Sequence, residues 1–363
     1  MRFPGKKKGA IEIQFNWIFV LIVGALILVF FINISNSQRK AADQKLAFDL
    51  LSKVDLIMSG ALTIPKTGQV FDMPNIPFGL ECSRISMSGV SRQFPDRIIF
   101  GPDQLSGKKL IVVSQDWTVP FKISNFLYLT TSGVRYVVVA NADEPAQFQT
   151  ATDFLNSLPD NITKEVGNLS PTNGINDKNN YKIKLIFLSD VFPLPYQKLI
   201  DLQLPDFIKR MPNSAVSGIY IDGSSSPITV RFIKKETDLS GGVVRLNFDG
   251  EPIPVYKEPM IFGAIFAENK DEFNCSYLKA FKKLHYVSEV YRERELSISN
   301  DYSTTYSYRT ECKVAGIRAP EEINAISIAA TTPTQSIGTI STNEGAISYA
   351  NANALRSSCA PIY

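Results

Sequence analysis

Apolar and polar positions follow three different rhythms along the chain. The first is a long apolar run, Phe15 to Ile34, interrupted only by Asn16 and Asn33 near its ends. At ~1.5 Å per residue a helix over this run is about 30 Å long, the hydrocarbon thickness of a bilayer. No other stretch of this length lacks charge, so the pattern predicts a single transmembrane helix over 15–34. Leu46, Leu50, Val54 and Ile57 then recur at three or four, widened by Ala47, Leu51 and Met58, while Asp43, Lys45, Asp49, Ser52 and Lys53 line the other side. Neither proline nor glycine occurs between Ala25 and Ser59. One helix from about Glu12 to Met58 is expected, a membrane span continuing into a spine over 35–60, with Gly60 as its stop. A membrane helix followed by a separate amphipathic core helix fits the same pattern.

The second rhythm, over 61–136, has short β-branched and aromatic runs separated by turn residues. R-I-I-F, K-L-I-V-V-S, F-L-Y-L-T-T and R-Y-V-V-V-A read as strands, with Trp117 as a half-buried core aromatic. The third, over 137–312, alternates apolar strands with helices. A-Q-F-Q-T-A-T-D-F-L-N-S-L, Y-Q-K-L-I-D-L-Q and D-F-I-K-R read as helices; Y-K-I-K-L-I-F-L, S-G-I-Y-I-D, T-V-R-F-I and M-I-F-G-A-I-F read as strands. That alternation predicts βαβ units and a mostly parallel sheet. A long helix over about 273–296 places Leu278, Phe281, Leu284, Val287 and Tyr291 on one stripe, ringed by Lys279, Lys282, Lys283, Arg292 and Arg294. Over 313–363 the composition turns to Ala, Ser, Thr, Ile and Asn. Pro320-Glu321-Glu322 reads as one helix start and Ser341 to Glu344 as a capping box, with a soft linker over Thr331 to Gly338. The fold class is therefore α/β: a tail over 1–14, a span, a spine, a β-rich part, a mostly parallel α/β part and a helical tail.

Charge changes the picture by exclusion. Lys and Arg number 38 against 35 Asp and Glu, a net charge of +3 in 363 residues, which lacks the concentrated basic excess of a nucleic-acid binder. Arg2, Lys6, Lys7 and Lys8 precede the span and Arg39, Lys40 and Lys45 follow it, which slightly favours a cytoplasmic N-terminus and an extracellular ectodomain. Cys82, Cys275, Cys312 and Cys359 form no C-x-x-C pair; they suit two disulfides of three possible connectivities outside the cytoplasm, or four buried thiols.

The apolar run is too long for a secretory signal peptide, and S-N-S-Q-R-K after it is a poor cleavage site. Lys7-Lys8-Gly9-Ala10, a basic cluster and a glycine leading into a hydrophobic helix, resembles the class III signal sequence of archaeal type IV prepilins. The resemblance covers about 30 residues and implies cleavage between Gly9 and Ala10 and assembly through the helix. The glutamate that family carries five residues after the cut is Gln14 here, with Glu12 two residues earlier. An ordinary anchor with a basic flank is the alternative.

Asp222-Gly223-Ser224-Ser225-Ser226 matches D-x-S-x-S, similar to the metal-ion-dependent adhesion site of von Willebrand A-type domains, which implies a magnesium site at Asp222, Ser224 and Ser226. A helix follows that motif in the family; here Pro227 to Phe232 reads as a strand, and a hairpin turn explains the residues better. G-P-D-Q-L-S-G-K, 101–108, fails as a phosphate loop on spacing and on the strand that follows it. His285 is the one histidine, flanked by Lys282 and Lys283, which would oppose its protonation. Of the sequons at Asn33, Asn161, Asn168 and Asn274, Asn161 and Asn168 border a polar loop and are the candidate glycan sites.

The expected function is a structural or adhesive membrane-anchored archaeal surface protein, with a minor pilin-like subunit as the form the N-terminal resemblance implies, and with membrane lipid and other surface-protein subunits as partners in a homo- or hetero-oligomeric filament. The alternative is a membrane-anchored extracytoplasmic binding module using Asn141 to Glu144, Asp190 and Asp222 to Ser226 at the carboxyl ends of its strands. No catalytic residue, cofactor or nucleic-acid partner is expected, since no activated nucleophile or dinucleotide fingerprint occurs. Paired carboxylates meeting across a cleft would overturn the non-enzyme reading.

Overall fold

The computed structural model describes residues 9–62, 68–74, 76–141, 143–169, 175–178, 180–192, 199, 202, 204–238, 243–306 and 310–363. Helix α1 runs Gly9–Ala61 without a break, 53 residues. From Trp17 to Ile34 it is exposed all round, and it is the one helix among the described residues long and apolar enough to cross a membrane. Its last four turns change character. Ala47, Leu50, Leu51, Val54, Met58 and Ala61 are buried, while Leu46, expected on that stripe, is exposed. Each helical residue turns about 100° from the last, which swings Leu46 off the buried stripe. Two further apolar residues, Phe48 and Leu56, face solvent.

The spine lies on a four-stranded sheet of order β1-β7-β8-β5. It is built from β1 (Gly68–Asp72), β5 (Ile98–Phe100), β7 (Lys109–Val119) and β8 (Phe121–Thr131). The long β7–β8 pair is antiparallel, and β5 joins β8 in parallel. A small antiparallel sheet of order β4-β3-β2-β6 covers the spine's flank; its strands are β2 (Phe78–Glu81), β3 (Arg84–Met87), β4 (Val90–Gln93) and β6 (Gln104–Leu105). Period-two alternation divides the first sheet between two cores. Ile99, Leu110, Val112, Leu127 and Leu129 pack with the spine. Ile98, Phe100, Ile111, Val113, Phe126 and Tyr128 pack on the opposite face against helices from the end of the chain.

The second large sheet has the order β10-β9-β11-β12-β13-β14. Strands β9 (Val134–Val139), β10 (Thr163–Gly167), β11 (Lys182–Leu188) and β12 (Val216–Asp222) are parallel; β13 (Thr229–Thr237) and β14 (Val244–Pro254) are antiparallel additions. The parallel part matches the βαβ reading, with α2 (Pro145–Ser157) and α3 (Asp206–Arg210) on the connections. Most of Y-Q-K-L-I-D-L-Q lies outside the described residues. The boundary read at 136 falls inside β9, which pairs with β10 and β11 on both sides of that position. Strand β14 has no counterpart in the sequence reading, although Val244, Leu246 and Phe248 alternate with Arg245, Asn247 and Asp249 as in a half-buried strand.

M-I-F-G-A-I-F is not a strand but the core of α4 (Glu258–Phe266), with Pro259 in its first turn. Short apolar runs do not distinguish a buried helix from a buried strand, and here burial is nearly complete. Helix α5 (Lys270–Thr304) starts at Asn269, whose side chain accepts from Asp271 N and Glu272 N. It buries Phe273, Tyr277, Ala280, Phe281 and Leu284, and Leu278 is exposed rather than part of the stripe. Helices α6 (Thr310–Ala329) and α7 (Pro333–Arg356) fold back on α5. Both are longer than the composition suggested: Pro320 lies inside α6, Ser341 to Glu344 lies inside α7, and only 330–332 separate them. Packing of Ile323, Ile326, Ile337, Ile340 and Ile347 into the main core outweighs the weak helix propensity of the Ser and Thr around them.

Candidate functional site

Both disulfides form and use all four cysteines. Cys82–Cys275 ties the β2–β3 turn to the first turns of α5, with Cα atoms 5.6 Å apart. Cys312–Cys359 ties α6 to the chain end, with Cα atoms 5.5 Å apart. That end is held further: Arg294 donates to Pro361 O and Ile362 O, Asn351 Oδ1 accepts from Ile362 N, and Ala360 N donates to Tyr302 Oη.

The loops at the carboxyl ends of β11 and β12 meet. Ser189 N donates to Ile221 O, and Gly223 N donates to Ser189 Oγ at 3.1 Å. Asp222 Oδ1 accepts from Ser224 N at 3.1 Å and from Ser224 Oγ at 2.7 Å. Ser225 Oγ donates to Asp222 O and accepts from Thr229 N. The D-G-S-S-S segment is thus a self-bonded turn leading directly into β13, which pairs antiparallel with β12 from Asp222↔Thr229 onward. Ser226 is exposed and precedes a cis bond to Pro227. Among the described residues no group of three or more His, Cys, Asp or Glu is placed to hold a metal. The loop after β9 makes its own turn, with Asp143 N donating to Asn141 Oδ1.

The chain's most unusual electrostatics lie elsewhere, on β11. Lys182 and Lys184 share one face of an otherwise apolar, buried strand. Lys184 Nζ donates to Ala267 O at 2.6 Å and Glu268 O at 3.1 Å, just past the end of α4, with the Phe232 ring 5.1 Å away. A cation there satisfies orphaned carbonyls and the negative end of the helix dipole. Burial pulls its pKa down to about 8, against the opposing pull of Glu268. Lys182 pairs with Glu268 at 2.7 Å and with Asp103. Burial opposes its charge, but the two carboxylates outweigh that and raise its pKa. Tyr136, Ser217 and Ile265 line the same small cavity. Sequence reading passed over this pair; the signal was two lysines at i and i+2 in K-I-K-L-I-F-L.

His285 Nδ1 lies 2.8 Å from Ser327 Oγ, and Ser327 Oγ donates to Glu289 Oε1 at 2.6 Å. The hydroxyl proton is therefore spent on the carboxylate, and Ser327 is 1% exposed. This is a clasp between α5 and α6 rather than an activated serine. Lys283, expected to crowd the histidine, donates to Ser124 Oγ instead. Glu344 in α7 pairs with Lys257 and accepts from Tyr256 Oη. Glu295 is 2% exposed with Arg294 at 3.1 Å, and burial pushes its pKa up to about 7 against the pull of that arginine.

Asp55 of the spine pairs with Arg92 and Arg97, and Arg97 also donates to Asp55 O and Ser59 Oγ. Gly9 and Ala10 form the first described turn of α1; Lys7 and Lys8 lie outside the described residues. Asn161 is exposed, but the Nδ2 that would carry a glycan donates to Gly68 O at 2.6 Å. Asn168 O accepts from Ile175 N, and the Ser170 of its sequon lies outside the described residues.

The apolar helix and the two disulfides together describe a single-pass membrane or secreted protein of mixed α/β fold. No protein family, characterised protein or solved structure matches the chain.

Proposed function

We propose that this chain is a membrane-anchored structural or adhesive subunit of a cell-surface assembly, pilin-like in its N-terminal segment. The observation that carries the reading is α1: one unbroken helix, exposed and apolar over Trp17 to Ile34, then built into the core from Ala47 to Ala61. Such a helix transmits force and position from a bilayer to a folded domain without a hinge. Asp55, clamped by two arginines, and Cys82–Cys275 brace the same region. An ectodomain of about 300 residues suits a minor or tip subunit better than a repeated shaft. A non-enzymatic role is supported by the ties of Glu268, Glu344 and Glu295 to basic neighbours and of Glu272 to Cys82 N. Mass spectrometry of the native N-terminus tests the subunit reading: a chain beginning at Ala10 supports it, and an intact Met1 or Arg2 end leaves a simple anchor. Protease treatment of sealed vesicles with the native exterior outward tests orientation. Release of a soluble fragment of nearly full mass is expected, and protection of that mass defeats it.

The second reading is a membrane-anchored binding module. It rests on the meeting of Ser189, Asp190 and Asp222 to Ser226 at the carboxyl edge of the parallel strands. Calorimetric titration with calcium and magnesium tests its ion version: absence of saturable heat, or heat unchanged in Asp222→Ala, removes it.

A further inference from the structure

Strand β5 pairs with β8 only at Phe126 to Tyr128, so that edge of β8 is left open just before it, at Ser124 and Asn125. Asp96 and Arg97, Leu62 past the end of the spine and Lys283 of α5 close around the gap without filling it, and an open cavity of about 280 Å³ remains. That is close to the lower end of ligand pockets, roughly 300 Å³.

Some of the polar groups around it are committed and some are not. Arg97 is held by Asp55 and Ser59. The neighbouring Lys279 donates to Ser83 Oγ, Phe94 O and Arg97 O. Lys283 is half-buried, and its ammonium, with three protons to donate, reaches only Ser124 Oγ at 3.2 Å. Asn125 donates through Nδ2 to Leu62 O at 3.0 Å, and its Oδ1 accepts no hydrogen bond among the described residues. The exposed Asp96 carboxylate has no hydrogen-bond or ion-pair partner among them either, and its charge acts on Lys279. Asp55 therefore balances Arg97 and Asp96 lies toward Lys279, which leaves Lys283 as the cation without a carboxylate of its own. A half-buried charge so placed gains from an anionic ligand. On α5, Lys279, Lys283 and Tyr286 follow at i, i+4 and i+7, so the Tyr286 ring, 57% exposed, stands one turn along the same stripe.

These groups discriminate among ligands. A phosphate dianion or an acidic protein side chain would pair with Lys283 but would meet Asp96 as a like charge and bring no proton to Asn125 Oδ1. A neutral sugar would donate hydroxyls to Asp96 and Asn125 and leave Lys283 unpaired. A sugar acid satisfies all three, and its C–H face suits the face of an exposed tyrosine ring. We infer that this cavity binds one carboxylate-bearing sugar residue, its carboxylate on Lys283 and its hydroxyls donating to Asp96 and Asn125. The inference rests on the adhesive reading and names a ligand class for it, at a site separate from the D-G-S-S-S turn.

Isothermal titration of the full-length chain in detergent tests it. The probes are trigalacturonate and its methyl ester, which keeps the hydroxyls and loses the charge. Saturable heat is expected with the acid, and binding about tenfold weaker with the ester, the size of one charge-assisted hydrogen bond. Lys283→Met should weaken the acid by that factor and leave the ester unchanged, and Lys283→Arg should keep the preference for the acid. Asp96→Ala should weaken both sugars. Lys282→Met, exposed on the same helix and not lining the cavity, should change neither. Absence of saturable heat, equal binding of acid and ester, an acid affinity untouched by Lys283→Met, or inorganic phosphate competing as well as the sugar acid overturns the inference. A native chain beginning at Ala10 that binds no trigalacturonate would leave the subunit reading standing and remove this site alone. Binding by a chain with an intact N-terminus would keep the site and remove the pilin-like reading.

Discussion

Lys184→Met removes a buried cation whose charge the fold disfavours, and its consequence can be worked in pH. In the folded chain burial holds the Lys184 pKa at about 8, against about 10.4 in an unfolded chain. Below pH 7 the amine is protonated in both states, and the folded state bears the cost of its buried charge. Between the two pKa values the unfolded chain binds more protons, so stability rises with pH. The linkage relation gives about 2 kcal/mol of added stability between pH 7 and pH 9.5. Lys235 and Lys279 are also lowered by burial and add slopes of the same sign, so the informative quantity is the difference between parent and variant. Methionine keeps the stem's volume and cannot titrate. It also leaves Ala267 O and Glu268 O without their donor, a pH-independent loss of roughly 1–3 kcal/mol per unsatisfied group. The assay is urea unfolding in detergent from pH 7 to 9.5, followed by emission of Trp117 in a Trp17→Phe background. The parent is expected to gain stability across the window and the variant to lose that share of the gain. Parallel pH profiles for the two proteins would refute the assignment of Lys184 as a buried titrating cap.

Glu295→Gln should act in the opposite direction along the pH axis. Burial raises the Glu295 pKa to about 7, so the parent loses stability as pH rises from about 4.3 through 7, and the glutamine variant should be flat there and more stable at pH 8. Cys359→Ser opens a loop closed over a separation of 47 residues, costing about 4 kcal/mol by chain entropy, and carboxypeptidase should then trim residues 359–363. Asp55→Asn weakens two partly exposed ion pairs; a loss of about 1 kcal/mol is expected, with faster amide exchange in the last turns of α1.

The sequence by itself determined the elements whose signal is local. The helical character of α1 was legible because a long apolar run and then a 3.6-residue stripe both favour helix, while the joining of the two into one helix was decided by the structure; β5, β7, β8 and β9 were legible because short β-branched runs sat between turn residues. The strand following Asp222, which makes D-G-S-S-S a hairpin turn, was legible for the same reason. Everything that depended on what a segment packs against was decided by the tertiary structure. M-I-F-G-A-I-F is a helix because it is buried on all sides beneath the β7–β8 pair. Strand β14 takes its place because β13 offers it a ladder, although Val244, Leu246 and Phe248 already alternate with polar residues. The weakly helical tail forms two long helices because α5 receives their isoleucines. Disulfide pairing, invisible to spacing, follows from which turns lie within about 5–6 Å of each other. The lysines of β11 look misplaced in one dimension and are required in three, since only the fold brings the carbonyl end of α4 to the strand that carries them. Likewise, periodicity shows that α1 and α5 have apolar faces, but only packing shows which of those residues remain uncovered.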